Sequence, residues 1–188
     1  MSQVSLATPE KIRPFEPDFL YEIVDGEIRE IPNMGVYAGI IATVLANSIN
    51  QFARPRNLGL AVVEVLFKLG PNLPSRRPDV AYVTSDKMLS RVQALEDPPQ
   101  WEVVPNLAIE VVSKTNTAAE IEDKLGDYFG AGVQLVWVIY PVHRRVYVYE
   151  SINKNRILTE QNELDGGDML PGFTIPLSDL FNAYIPPQ

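Results

Sequence analysis

The sequence predicts an α/β fold, a mixed β-sheet flanked by helices with a β-hairpin near its start. Three observations predict it. Asp25-Gly26 lies between two alternating segments, which is the strongest short hairpin signal. Residues 36–52 repeat apolar side chains with the helical period. An apolar strand, a capped helix and a second apolar strand then follow one another between 107 and 140, an order that implies a right-handed crossover joining parallel strands. The 188 residues are one domain's worth of chain, so a single domain over 1–188 is expected, with 1–16 loosely ordered.

In chain order, Tyr21-Glu22-Ile23-Val24 and Glu27 to Ile31 form the arms of the hairpin, and Pro32-Asn33 ends it. In the 36–52 helix, Val36, Ile40, Ile41, Val44, Leu45, Ile49 and Phe52 make a broad apolar face without a charge, so the helix should be largely buried. Pro55 limits it, because a residue before proline is pushed out of helical geometry. Residues 60–69 read as one strand, and Gly70 to Pro74 as a turn. Asp79 to Val83 is a short strand opened by Pro78, a position where proline is tolerated. A short helix is expected over Asp86 to Ala94.

Leu107 to Val112 is apolar except for Glu110, as in a strand covered on both faces. Thr117 and Glu120 have the spacing of a capping box, so a helix should run over 117–131. Val133 to Tyr140 is again apolar. Pro141 to Arg144 turns the chain into Val146 to Tyr149, and a short amphipathic helix is expected over Leu177 to Tyr184.

Composition excludes several chemistries. Apolar residues make up 46% and charged residues 21%, an ordinary globular balance. There is no cysteine, which rules out disulfides and thiolate metal sites. His143 is the one histidine, in a turn beside Arg144, so a multi-histidine zinc site is excluded and a Ser-His-Asp triad disfavoured. Met1 to Glu10 lacks the pattern of a signal peptide, and no apolar run approaches the ~20 residues of a membrane span. A cytoplasmic protein with no membrane association is expected. The net charge is -8. That works against phosphate binding, which favours a basic patch, unless Arg54 and Arg56, Arg76 and Arg77, or Arg144 and Arg145 form a local strip. Trp137, in an apolar strand, is a core residue.

Glu110 is the most informative polar residue. A carboxylate inside a buried strand must be paired, neutralised or bound to a cation. Alternation places it with Ala108 and Val112, opposite Leu107, Ile109 and Val111. Asp79, in Arg77-Pro78-Asp79-Val80, stands at the mouth of a strand, where a carboxylate can project beside its neighbour or simply cap its own loop. Two carboxylates from adjacent strands suit Mg²⁺ or Mn²⁺. Lys124 lies about 60° from Ile121 at roughly 100° per residue, on the edge of the helix's apolar stripe, from where its amine could reach over the sheet or snorkel to solvent. Lys114, Glu27 and Glu64 are further candidates.

Together these residues resemble the PD-(D/E)XK nuclease superfamily and, more closely, a large bacterial family of restriction-endonuclease-like proteins. The resemblance runs through Tyr21 to Glu27, Arg77 to Ala81, Glu110 to Ser113, Asp123-Lys124, Tyr128, Gly132-Val133, Val136-Trp137 and Leu170 to Phe173. It implies a restriction-endonuclease-like fold and phosphodiester hydrolysis of nucleic acid, with DNA the expected substrate. It further implies Mg²⁺ or Mn²⁺ held by Asp79 and Glu110, Lys124 as the catalytic lysine, Glu27 or Glu64 as an outer carboxylate, and a homodimer. Two positions depart from the pattern. The superfamily's lysine position holds Val112, which points to Lys124 on the next helix, and an early-helix histidine is replaced by Tyr37. Two rivals stay open: a nuclease fold that binds a partner or nucleic acid without cutting, and a glycosidase using the carboxylate pair without metal.

Overall fold

A computed structural model of the chain describes residues 19–89 and 99–183. Residues 1–16 and the stretch from 90 to Ala94 in the expected short helix lie outside them.

The hairpin forms as predicted, from β1 (Tyr21–Val24) and β2 (Glu27–Glu30), with Asp25 and Gly26 both at positive φ in the turn. Helix α1 (Val36–Ala53) follows, and a 3-10 turn over Arg54–Arg56 ends it at Pro55. Next come β3 (Gly59–Val63), β4 (Phe67–Lys68), β5 (Ser75–Arg76), β6 (Val80–Thr84) and α2 (Ser85–Leu89). Strand β7 (Leu107–Val111), α3 (Ala118–Ala131) and β8 (Leu135–Tyr140) form the crossover unit, and β7 and β8 pair in parallel. The chain continues through β9 (Arg145–Ser151), β10 (Lys154–Thr159), β11 (Glu163–Gly166), β12 (Leu170–Pro176) and α4 (Leu177–Asn182).

The central sheet has six strands in the order β10-β9-β8-β7-β6-β3, antiparallel except at β7–β8. A second sheet, β2-β1-β5-β4, stands beside it, and β11 pairs with β12. One face of the central sheet packs against α1, α4 and the β11–β12 hairpin, burying Leu107, Ile109, Val111, Trp137 and Ile139. The other face packs against α3 through Ala108, Val136 and Val138. The alternation read from β7 therefore holds, and Glu110 lies on the α3 side. Trp137 is fully buried, as expected of a core residue.

Helix α1 shows how a charge-free helix is buried. Ile41, Ala42, Leu45, Ile49 and Ala53 are wholly covered by the sheet, whereas Thr43, Asn47 and Gln51 face outward. By length and composition alone, Val36–Arg56 would cross a membrane. That differs from the expectation of no such run, because alanines and scattered aliphatics raise the mean hydropathy without forming a strongly apolar block. Its covered stripe makes it a core helix.

One expectation about the strands is corrected. The strand read over 60–69 is broken at Glu64, which adopts φ 52°. There the Glu64 N–H donates to the Asp79 carbonyl, and Phe67–Lys68 leave to pair with β5 in the second sheet. The β-rich, largely apolar run carries no sign of this, since it continues across the break. The sequence also supplied no prediction for β10, β11 and β12, whose polar, turn-rich residues lack a clean period.

Candidate active site

The first carboxylate comes from the segment before β6 and the second from β7. The pairing Val80↔Ile109, extended by one residue, sets Asp79 opposite Glu110. Extending Val63↔Val80 in the same way sets Glu64 beside Asp79. Three acids therefore stand in a row at one end of three neighbouring strands. They line a cleft of about 220 Å³ that is also bordered by the hairpin, the start of α1 and the first turns of α3.

Helix α3 delivers the cation. The Thr117 hydroxyl accepts the Glu120 N–H at 3.2 Å, and the Glu120 carboxylate accepts the Thr117 N–H at 2.8 Å, so the predicted capping box is complete. This fixes the helix start one turn before Asp123 and Lys124. Thr117→Ala should cost about 1 kcal/mol, readable as a lowered urea midpoint with unchanged slope.

Below the cap, the Lys124 ammonium lies 2.9 Å from Glu110 Oε2 and 3.3 Å from Glu22 Oε1. Tyr128, one turn on, donates its hydroxyl to Glu110 Oε1 at 2.6 Å. Both Glu110 oxygens are thus held from the same helix. Burial and the charge of Glu110 raise the Tyr128 phenol well above its ordinary value, so it remains a donor. Burial by itself would lower the Lys124 ammonium, but Glu110 and Glu22 outweigh it and raise its pKa. Lys124 is therefore a fixed cation and not a base.

Asp79 is set differently. Its Oδ2 accepts the Val111 N–H at 2.6 Å, and no hydrogen bond to the other oxygen is found among the described residues. Burial first, and then the negative charge of Glu110, push its carboxyl up to about 7 against the help of the Val111 N–H and Lys124. Burial is thus the larger reason that the charged form of Asp79 is disfavoured, and the neighbouring Glu110 the second.

Behind the pair lies a buried ion network. Glu22, only 3% exposed, accepts from Arg76 at 2.6 Å and from the Arg77 N–H at 3.0 Å. Arg76, 7% exposed, also donates its Nε to Asp127 at 2.7 Å. Burial by itself would raise Glu22, but Lys124 and Arg76 hold its carboxyl below the usual range. The β1–β5 pairing at Ile23↔Ser75 brings these residues together and ties the hairpin to α3.

The family described as "Uma2: Putative restriction endonuclease" matches residues 7–178. The chain belongs to this family. A crystal structure titled as a putative nuclease belonging to DUF820, from Anabaena variabilis ATCC 29413, superposes with a TM-score of 0.76 at 19% identity. The match covers 86% of this chain and 89% of that one, so the two share a fold. No protein of curated function matches the chain.

In this Uma2 chain the structure brings together Asp79, Glu110, Lys124 and, at the cleft wall, Glu64. Glu27 is not among them: it is exposed near the hairpin tip and does not line the cleft. Glu22, which the sequence reading passed over, occupies the inner position instead. A signal was available, since Glu22 shares a strand face with Val24, the face that is buried. Lys114 is exposed and does not line the cleft, though its neighbour Ser113 does. Val112 donates its N–H to Ile139 and packs on the α3 side. Tyr37 gives its hydroxyl to the Phe181 carbonyl at 3.0 Å, joining α1 to α4, and does not line the cleft. His143 is exposed in its turn. The idea that Arg76 lies in a loop able to meet a nucleic-acid backbone is corrected, because its guanidinium is consumed by Glu22 and Asp127.

Proposed function

We propose that this chain is a divalent-metal-dependent nuclease that hydrolyses phosphodiester bonds of nucleic acid at the Asp79–Glu110 pair. The observation that carries the reading is the placement of two carboxylates opposite one another at the ends of adjacent strands, on the wall of a cleft, with an ammonium 2.9 Å from one of them.

The residues fit Mg²⁺ or Mn²⁺. Such ions need only one or two protein carboxylates and keep several waters alongside the substrate phosphate. Two carboxylates on a cleft wall match that open kind of site. A cation beside Asp79 would offset the burial and the Glu110 charge that disfavour its ionised form. Asp79 and Glu110 would hold the ion, which when bound polarises the phosphate and lowers the pKa of an attacking water. Lys124, kept protonated, donates to the oxygen on which negative charge develops. Tyr128 and Lys124 together hold the Glu110 carboxylate in one orientation. In the overall reaction, water oxygen bonds to phosphorus, one ester P–O bond breaks, and a phosphate monoester and a hydroxyl end result. DNA is the expected substrate, and a homodimer would present two clefts to two strands.

A non-catalytic binding module is the second reading. Both Glu110 oxygens are already hydrogen-bonded, and the net charge is -8.

Calorimetric titration of Mn²⁺ into the wild type, Asp79→Asn and Glu110→Gln separates the two. Saturable binding to wild type that either substitution abolishes is expected, followed by Mn²⁺-dependent cleavage of plasmid DNA, single-stranded DNA or RNA that both variants lose. Folded wild-type protein that binds Mn²⁺ no better than the variants and cuts none of the three would give precedence to the second reading.

A further inference from the structure

We propose that Arg77 is the phosphate-binding residue of this cleft, holding a backbone phosphate of the nucleic acid beside Asp79 and Glu110. The inference rests on the nuclease reading and adds the group that would receive the substrate.

The argument begins with charge. Seven carboxylates and four cations line the cleft, so a polyanion meets net repulsion unless a cation is left unspent. Two of the four are spent. Arg76 is bound to Glu22 and Asp127, and Lys124 to Glu110 and Glu22, while Arg29 turns out along the hairpin toward Asp25, a pair more than half exposed on both sides. Arg77 alone among these four forms no ion pair within the described residues.

Its guanidinium is held by neutral partners. Nε donates to the Tyr21 carbonyl at 3.3 Å, a terminal nitrogen donates to the Glu64 carbonyl, and the group lies 5.7 Å from the centre of the Tyr21 ring. Carbonyls and a ring face orient a guanidinium without cancelling its charge. A guanidinium carries five N–H donors, and these bonds use two of them, leaving the rest of the fork for an oxyanion. Because the fork is already fixed between β1 and the end of β3, little side-chain entropy is lost when a phosphate oxygen docks. Glu22 and Glu64 stand close enough to offset part of the charge, but Glu22 is itself neutralised by Arg76 and Lys124. Arg77 and Asp79 flank Pro78 and both line the cleft, so a phosphate on Arg77 lies next to the carboxylate pair.

The rival account is that Arg77 merely ties two backbone segments. Salt dependence distinguishes them. Each phosphate neutralised releases counterions, so removing one contact lowers the slope of log K against log salt by about one, whereas loss of a tie lowers stability without changing the slope.

The experiment uses the full chain with Ca²⁺ in place of Mg²⁺. Fluorescein-labelled DNA, as duplex and as single strand, is titrated by anisotropy over a series of KCl concentrations. Arg77→Gln should weaken binding about tenfold and reduce the slope by about one. Arg77→Lys should restore the slope while leaving the affinity below wild type. Arg56→Gln, at the opposite end of β3 from the cleft, should match wild type in both. If Arg77→Gln does not fold, Arg77→Lys decides: a lowered melting temperature with wild-type affinity makes Arg77 a structural tie. Wild-type affinity and slope in a folded Arg77→Gln protein overturns this assignment alone. Wild-type protein that binds neither these DNAs nor a fluorescein-labelled RNA overturns it together with the nuclease reading.

Discussion

Replacing Arg76 with methionine should lower the unfolding free energy by about 3–5 kcal/mol, the cost of breaking a buried ion pair from one side. Arg76 is buried between Glu22, 2.6 Å away, and Asp127 on α3. Without it the Glu22 carboxylate keeps only Lys124 and the Arg77 N–H, and Asp127 loses its partner. Methionine fills much of the volume, so the loss reports charge and hydrogen bonding more than cavity. Against a typical total of about 5–15 kcal/mol it is a large fraction. A urea unfolding curve measures it, and a loss below about 1 kcal/mol would show that water replaces the guanidinium at little cost. Acid tests the same network. Glu22 is held below its ordinary 4.5, so its contribution is complete above that value and is lost as pH falls through the folded pKa. The difference between wild type and Arg76→Met should therefore shrink below pH of about 4.

Asp79→Asn should have the opposite effect on stability while abolishing hydrolysis. In the folded chain the Asp79 carboxyl titrates at about 7, against an ordinary 3.8. A raised carboxyl pKa means that ionisation opposes folding. The penalty is absent below the unfolded pKa, grows as pH rises between the two values, and is complete above about 7. Asparagine carries no charge and can still accept the Val111 N–H. With a chelator present, the variant should be more stable than wild type by up to about 4 kcal/mol at pH 8, with the gain nearly gone at pH 4. On the proposed nuclease reading, cleavage should fall by about 10³-fold, since the substitution would remove a charged metal ligand next to the reacting phosphate. Thermal melts at three pH values and a nuclease assay read the two effects separately. An equal gain at pH 4 and pH 8 would remove Asp79 ionisation as its cause. Saturating Mn²⁺ should bring wild type back level with or above the variant, because an ion that binds only the folded state stabilises it by mass action.

The two variants together describe a common economy of active sites. The Glu22–Arg76–Asp127 network locks the hairpin to α3 and leaves Lys124 held between two carboxylates. The Asp79–Glu110 pair sets side by side two carboxylates, one of which the fold disfavours in its charged form. The rigidity of the first keeps the second in place.

Much of this molecule was written into local sequence. Asp25-Gly26 determined the hairpin because few residue pairs accept positive φ twice. The capping box at Thr117 and Glu120 determined where α3 begins, and hence where Lys124 falls on it. The uninterrupted apolar run around Glu110 determined a strand covered on both faces, with a carboxylate on one of them. These features depend on residues within one or two turns of each other, so a linear reading reaches them. Other features depended on contacts between distant segments. Glu22 and Glu27 belong to the same hairpin and are chemically equal. What selects Glu22 is the pairing of β1 with β5 near residue 75, which turns its face toward α3. The break at Glu64 goes with the pairing of Phe67–Lys68 to β5 in the second sheet, and the burial of Arg76 with carboxylates 54 and 51 residues away. Hydrophobic period and capping act over a few residues and are set by the chain's own geometry, whereas charge pairing acts through space, and only the folded chain decides which charges meet.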